Sequence, residues 1–320
     1  RNAVWQNELS LWSDVVKKSP NKARPHLNLG EILSKKGRVA EATQQYRQAL
    51  RINPRYAKAH FNLANVLQQQ GSHAEAIKHY STALQIDPAD IGARNNLGLA
   101  LVKQGKRKDA IKHYLEILKI DPTNAKVHSN IGVALTEQGE TDQAISHFQQ
   151  ALDIDPADAE AHYNLAIALE MQQKDDEAVN HYLAALEKNP GHALAHFNAA
   201  NIFARQQKID AAVRHYEKSL AIQPDFPRAI NNLALMYALQ KNYIKALARY
   251  KEVLDHWPDK TETYYNVACM YSRLDSTKES IQWLKLAVDK GYSNWESIKS
   301  DSDLDNIRDA DAYKELVKGH

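Results

Sequence analysis

Apolar and polar positions in this chain recur on one long fixed period. Counting from Ala23 as position 1, a unit of 34 residues runs eight times: 23–56, 57–90, 91–124, 125–158, 159–192, 193–226, 227–260 and 261–294. Position 8 is always Gly or Ala, from Gly30 to Ala268, and position 20 is Ala seven times before Ser280. Position 24 is aromatic seven times, from Tyr46 to Tyr250, and then Leu284. Eight prolines, Pro20, Pro54, Pro88, Pro122, Pro156, Pro190, Pro224 and Pro258, stand 34 residues apart. Such a period marks a solenoid, in which each unit buries its apolar face against its neighbours.

Within a unit, small residues at 8 and 20 let two helix backbones approach closely, and the ring at 24 fills the space beside them. Gly37, Gly71, Gly105 and Gly139 fall at position 15, where a first helix should end and turn. Proline at 32 stops a second helix, since it cannot continue the hydrogen-bond ladder. The spacing predicts two antiparallel helices per unit, roughly positions 1–14 and 17–31. Residues 1–22 align with the second half of a unit and are expected to cap the first one. Residues 295–320 leave the register, and Trp295, Ile298, Leu304, Ile307, Tyr313 and Leu316 are expected in one or two short capping helices. Trp12 falls at position 24 of the leading half-repeat; all five tryptophans lie toward the ends.

The combination of Asn-Leu-Gly/Ala at 6–8, Gly at 15, Ala at 20, Tyr at 24, Ala at 27 and Pro at 32 resembles the tetratricopeptide repeat. The resemblance implies an all-α, right-handed superhelical solenoid with the first helices lining a concave face, and binding of a protein or peptide as the function.

Around the first helix, positions 3, 4, 7, 8, 10 and 11 share one arc, mostly apolar or small, and 2, 5, 6, 9, 12 and 13 share the other. If the solenoid buries the first arc, the second faces a groove. Position 6 on that arc is invariant: Asn28, Asn62, Asn96, Asn130, Asn164, Asn198, Asn232 and Asn266. Asn costs about half a kcal/mol relative to Ala in a helix interior, so its eightfold use needs a reason. A carboxamide can bond both the N–H and the C=O of an extended peptide. The repeats of the O-linked N-acetylglucosamine transferases carry a similar ladder, which implies backbone capture by these eight asparagines. The other reading is that each Asn bonds the adjoining repeat and fixes the stacking angle. At position 5, Phe61, Tyr163, Phe197 and Tyr265 are candidate aromatic anchors, or else packing residues. Family members that grip a C-terminal carboxylate carry Lys at position 5 and basic residues at 2 and 6 of later repeats. Here position 5 is never basic and position 6 is always Asn, so that clamp is not expected.

The composition adds exclusions. Lys+Arg number 41 and Asp+Glu 39, too balanced for a protein that works by neutralising nucleic-acid phosphates. The single cysteine, Cys269, allows neither an internal disulfide nor a multi-cysteine zinc site. Ten of the 14 histidines obey the repeat, five at position 4 and five at position 23, which suits packing rather than converging metal ligands. Asp175 and Asp176 read as solvated capping residues. No catalytic constellation, cofactor motif, metal site or membrane-spanning run is expected.

The stretch Arg1-Asn2-Ala3-Val4-Trp5, followed by Glu8, Leu11, Trp12 and Asp14, resembles the segment after the membrane-spanning part of bacterial glycosyltransferase-related proteins. It implies an extracytoplasmic location; without it the cytoplasm is expected. Three functional readings result: a peptide-binding scaffold, the substrate-recruiting arm of a glycosyltransferase whose catalytic part lies elsewhere, and a self-assembly module.

Overall fold

The computed structural model describes residues 7–318, and among these there are helices and turns but no strand. The chain forms two compact units, residues 1–172 and 173–320. Of the stretch that carries the membrane-protein resemblance, Arg1–Trp5 lie outside the described residues, while Glu8, Leu11, Trp12 and Asp14 fall on the first helix.

The first unit opens with α1 (Glu8–Lys18) and continues through α2 (Ala23–Lys35), α3 (Val39–Ile52), α4 (Ala57–Gln69), α5 (His73–Ile86), α6 (Ile91–Lys103), α7 (Arg107–Leu118), α8 (Ala125–Thr136), α9 (Thr141–Ile154) and α10 (Ala159–Met171). The second holds α11 (Asp175–Lys188), α12 (Ala193–Arg205), α13 (Ile209–Ile222), α14 (Pro227–Leu239), α15 (Tyr243–His256), α16 (Thr261–Arg273) and α17 (Thr277–Asp289). It ends in α18 (Trp295–Ser300), a 3₁₀ turn (Ser302–Ile307) and α19 (Asp311–Val317). First helices occupy positions 1–13, and second helices run from 17 to about 30, one residue short of the spacing argument at each C-terminus.

The turn between helices has one geometry throughout. Position 15 is left-handed at Gly37, Gly71, Gly105 and Gly139, with φ between 73° and 82°. The later repeats put Gln173, Gln207, Lys241 and Asp275 there, at φ 57–60°. The next residue closes the turn by donating its N–H to the carbonyl five residues back, as Arg38 does to Leu33 and Lys208 to Phe203, both at 2.9 Å. These bonds satisfy carbonyls that a helix end otherwise leaves orphaned, so the conformation survives loss of glycine.

The core of a helix pair is the contact of position 8 with the ring at 24. A Cβ added at Gly30 would stand 2.5 Å from Tyr46, and one at Gly132 2.6 Å from Phe148. The bare backbone is therefore what lets these rings approach the first helix so closely. Tyr46, Tyr80, Tyr114, Phe148, Tyr182 and Tyr216 are fully buried, as are the alanines at position 20. Burying such a ring contributes about 1.5–3 kcal/mol.

Polar ties join successive repeats. Gln206 Nε2 donates to Asp176 at 2.9 Å and Gln240 Nε2 to Asp210 at 2.6 Å. Asp175 takes two bonds from the Arg205 guanidinium, each 2.9 Å. Asp175 and Asp176 are thus not caps: they begin α11, after Lys174 as N-cap, and, although Asp176 stays exposed, both bind side chains 30 residues on. The guanidinium holds the Asp175 carboxyl below its usual range.

At the C-terminal end Ile298, Leu304 and Ile307 are fully buried and the Tyr313 hydroxyl donates to the Ile298 carbonyl at 2.6 Å. This segment lies on α16, where a further repeat would otherwise stack. At the other end α1 packs against α2, with Asn7 as its N-cap accepting from the Ser10 N–H at 3.0 Å.

Candidate functional site: the first-helix face

The invariant asparagines are all half-buried on the first helices, and their amide nitrogens are largely engaged. Asn62 Nδ2 donates to Glu31 at 3.0 Å, Asn96 to Asn65 at 2.9 Å and Asn232 to Asn201 at 3.1 Å. In each case the acceptor is position 9 of the preceding repeat. Where position 9 is Leu99, Asn130 turns to Asn95 at position 5 instead, at 3.0 Å. Asn198 donates to the Tyr182 hydroxyl at 3.2 Å. The donor half of the carboxamide is therefore mortar between neighbours. The Oδ1 atoms of Asn62, Asn130, Asn198 and Asn232 accept no hydrogen bond among the described residues. Asn28, Asn164 and Asn266 hold equivalent places on α2, α10 and α16.

The aromatic candidates divide. Phe61 and Tyr163 are half-buried. Phe197 is 3% exposed, 4.6 Å from the Phe226 ring and beneath the Arg228 guanidinium. Tyr265 is 6% exposed, stacked on Tyr292 at 4.5 Å, and donates to Asp301 at 2.8 Å. As anchors presented to a ligand, Phe197 and Tyr265 are corrected by this burial: Phe226 and Arg228, at the start of α14, cover the first, and Tyr292 and the C-terminal segment cover the second. What the face exposes is aliphatic: Leu194, Leu235 and Leu239 in the second unit and Met171 in the first. All four stand on the arc of positions 2, 5, 6, 9, 12 and 13: Leu194 at 2, Leu235 at 9, and Leu239 and Met171 at 13.

The histidines form a repeated clamp. Nε2 of His26, His60, His128, His162 and His196 lies 2.9–3.3 Å from the carbonyl of the proline six residues earlier. Tyr264 makes the same bond with its hydroxyl, 3.0 Å from the Pro258 oxygen. A ring that donates from Nε2 is an acceptor at Nδ1 when neutral. That Nδ1 meets Nδ1 of a position-23 histidine: His60 with His79 at 2.8 Å, His128 with His147 and His196 with His215 at 3.1 Å. Burial and the partner imidazole push His79, His147 and His215 below the usual histidine range, His215 to about 4. These are two-ring contacts, and among the described residues no group of three or more potential ligands gathers for a metal.

Cys269 is buried, and burial raises its thiol pKa well above the usual range, which keeps it a thiol rather than a nucleophilic thiolate. No helix of the described residues is long and apolar enough to cross a membrane.

A cleft that sequence reasoning missed lies on the same face in the second unit. Pro227, Arg228, Asn231 and Asn232 of α14, Val253 and Trp257 at the end of α15, and Lys260, Glu262 and Thr263 at the start of α16 line an open cleft of about 610 Å³. Its sequence signal was Trp257, which stands at position 31 where earlier repeats carry Asn, Asp or Gln.

Family models described as TPR repeat match residues 30–71, 65–105, 100–139 and 132–173, and others described as tetratricopeptide repeat match 163–227, 197–261 and 261–289. A search of the curated proteins finds no match. Among solved structures, the chain is similar to the C-terminal part of a TPR repeat-containing protein from Cytophaga hutchinsonii, at 19% identity and a TM-score of 0.60 over 74% of this chain and 97% of that one. PilF of Pseudomonas aeruginosa is similar at 21% identity and a TM-score of 0.56, over 69% and 96%. YrrB, a TPR protein with an unusual peptide-binding site, is similar at 23% identity and a TM-score of 0.50, over 57% and 95%. At these identities the structures establish shared fold, while the family models run from residue 30 to residue 289: the chain belongs to the tetratricopeptide repeat family.

Proposed function

We propose that the chain is a protein-interaction scaffold that holds an extended peptide segment along its first helices, with no catalysis of its own. The observation that carries this reading is the unfilled first-helix face of the second unit: Leu194, Leu235 and Leu239 are exposed there, beside half-buried asparagines whose oxygens accept no hydrogen bond among the described residues. Apolar side chains give a segment buried area, and amide oxygens accept its backbone N–H groups whatever its sequence. The ladder reads a backbone through acceptors alone, since its donors hold the repeats together.

The test is a peptide selected on the full chain from a displayed library. Leu235→Ser with Leu239→Ser should weaken it at least tenfold without lowering the melting temperature, because both side chains are exposed. Asn130→Ala with Asn164→Ala should weaken binding and also cost about 1 kcal/mol of stability through the lost bond to Asn95. Lost stability with unaltered affinity would reduce the asparagines to scaffold. Unaltered affinity in both double variants would end the groove reading.

A further inference from the structure

In the second unit, consecutive repeats treat one location on the first-helix face in opposite ways. In the repeat 193–226 the residues at positions 5 and 34 are Phe197 and Phe226, and their rings fill the space between successive first helices at 4.6 Å. One repeat later the same positions carry Asn231 and Lys260, and the 610 Å³ cleft stands there. The floor is buried: Val253 is 2% exposed and Thr263 4%, and the half-buried Trp257 supplies an aromatic wall. The rim is polar and carries two cations against one anion, Arg228 and Lys260 against Glu262. Arg228 is exposed, held over the Phe197 ring at 5.3 Å, and no carboxylate pairs with it among the described residues. Lys260 is exposed too and offers α16 no side-chain cap. In the repeats 91–124 and 125–158 the position-34 residues, Asn124 and Asp158, are instead spent as N-caps.

We propose that this cleft is a side-chain pocket of the peptide groove, taking one aromatic residue of a partner segment that carries carboxylates beside it. The proposal rests on the groove reading and names its specificity. The partner's ring takes the place that Phe226 takes in the preceding repeat, between Trp257 and the floor of Val253 and Thr263. Arg228 and Lys260 attract the flanking carboxylates, and Asn231 and the open Oδ1 of Asn232 face the backbone. Aromatic anchors in enclosed pockets with a polar rim are the usual seat of binding energy at interfaces.

The experiment titrates the full chain with a peptide acetylated and amidated at its ends, Gly-Ser-Asp-Phe-Asp-Ser-Gly, followed by ligand-observed NMR. Three matched peptides replace Phe by Ala, Phe by Leu, or both Asp by Lys. The Phe peptide should bind at least tenfold more tightly than the Ala peptide and several-fold more tightly than the Leu and Lys peptides. Asn231→Phe, which supplies the ring of the preceding repeat, should weaken it at least tenfold. Should that variant melt lower than the wild type, Trp257→Gln, the residue at this position in the preceding repeat, is read instead. Equal binding of Phe and Ala peptides, or full affinity in the folded variant, overturns the pocket. If Leu235→Ser with Leu239→Ser still abolishes binding of the library-selected peptide in that case, the groove survives and only its specificity was wrong.

Discussion

The hydroxyl of Tyr216 donates to Oδ1 of Asn201 at 2.6 Å, and the same oxygen takes Nδ2 of Asn232 at 3.1 Å. One amide oxygen thus joins the two helices of a repeat to the first helix of the next. Tyr80, Asn65 and Asn96 repeat the arrangement, with Tyr80 Oη 2.6 Å from Asn65. Tyr114 has no such partner, because its repeat carries Leu99 at position 9, and among the described residues its buried hydroxyl makes no hydrogen bond. Two chemically identical substitutions should therefore differ in sign. Tyr216→Phe should cost about 1 kcal/mol in urea unfolding, while Tyr114→Phe should be neutral or stabilising, since it removes a buried group that was never satisfied. Equal losses in both would mean the hydroxyl bonds do not set repeat coupling.

The architecture was legible because it rests on residues whose reason is local. Glycine or alanine at 8 and the ring at 24 form one contact, and proline at 32 ends one helix, so counting positions sufficed. The site was legible only in part. Asn232 sits where the helical arc placed it, but an amide has two ends, and the sequence does not say that Asn201 and Tyr216 take the donor. Phe197 and Tyr265 occupy the same register position as Phe61, yet Phe226 and the stacked Tyr292 cover them. That covering comes from residues outside the 34-residue consensus, and so does the cleft at Trp257.

Acid should loosen the paired histidines. The bond from Nδ1 of His215 to Nδ1 of His196 needs a neutral acceptor, and Lys218 and Arg214 add unfavourable charge to a protonated His215. Its folded pKa, about 4, lies below the ordinary histidine value near 6.5, so between these pH values the unfolded chain binds more protons. Stability contributed by this ring is complete above pH ~6.5 and falls as pH drops toward 4, by at most about 1.4 kcal/mol per unit. His79 and His147 shift in the same direction. Denaturation midpoints at pH 7.5, 5.5 and 4.5 should fall in that order, and His215→Gln should flatten the decline. Superimposable curves at pH 7.5 and 4.5 would remove the pairs from any account of acid sensitivity.

The left-handed turn gives the last prediction, because the chain performs half of the experiment itself. Gly139 reaches φ 82° without a Cβ, whereas Lys241 holds φ 59° with one. A non-glycine residue in this region costs about 1–2 kcal/mol, and glycine returns about 0.5–1 kcal/mol of that through the freedom of its unfolded chain. Lys241→Gly should therefore stabilise by a few tenths to about 1 kcal/mol, and Gly139→Ala should destabilise by a similar amount. The Asn242 N–H bond to the Tyr237 carbonyl, 2.8 Å, should persist in the first variant and be visible as retained amide-exchange protection. A destabilised Lys241→Gly would show that the lysine stem, lying along the turn, contributes more packing than its backbone loses to strain.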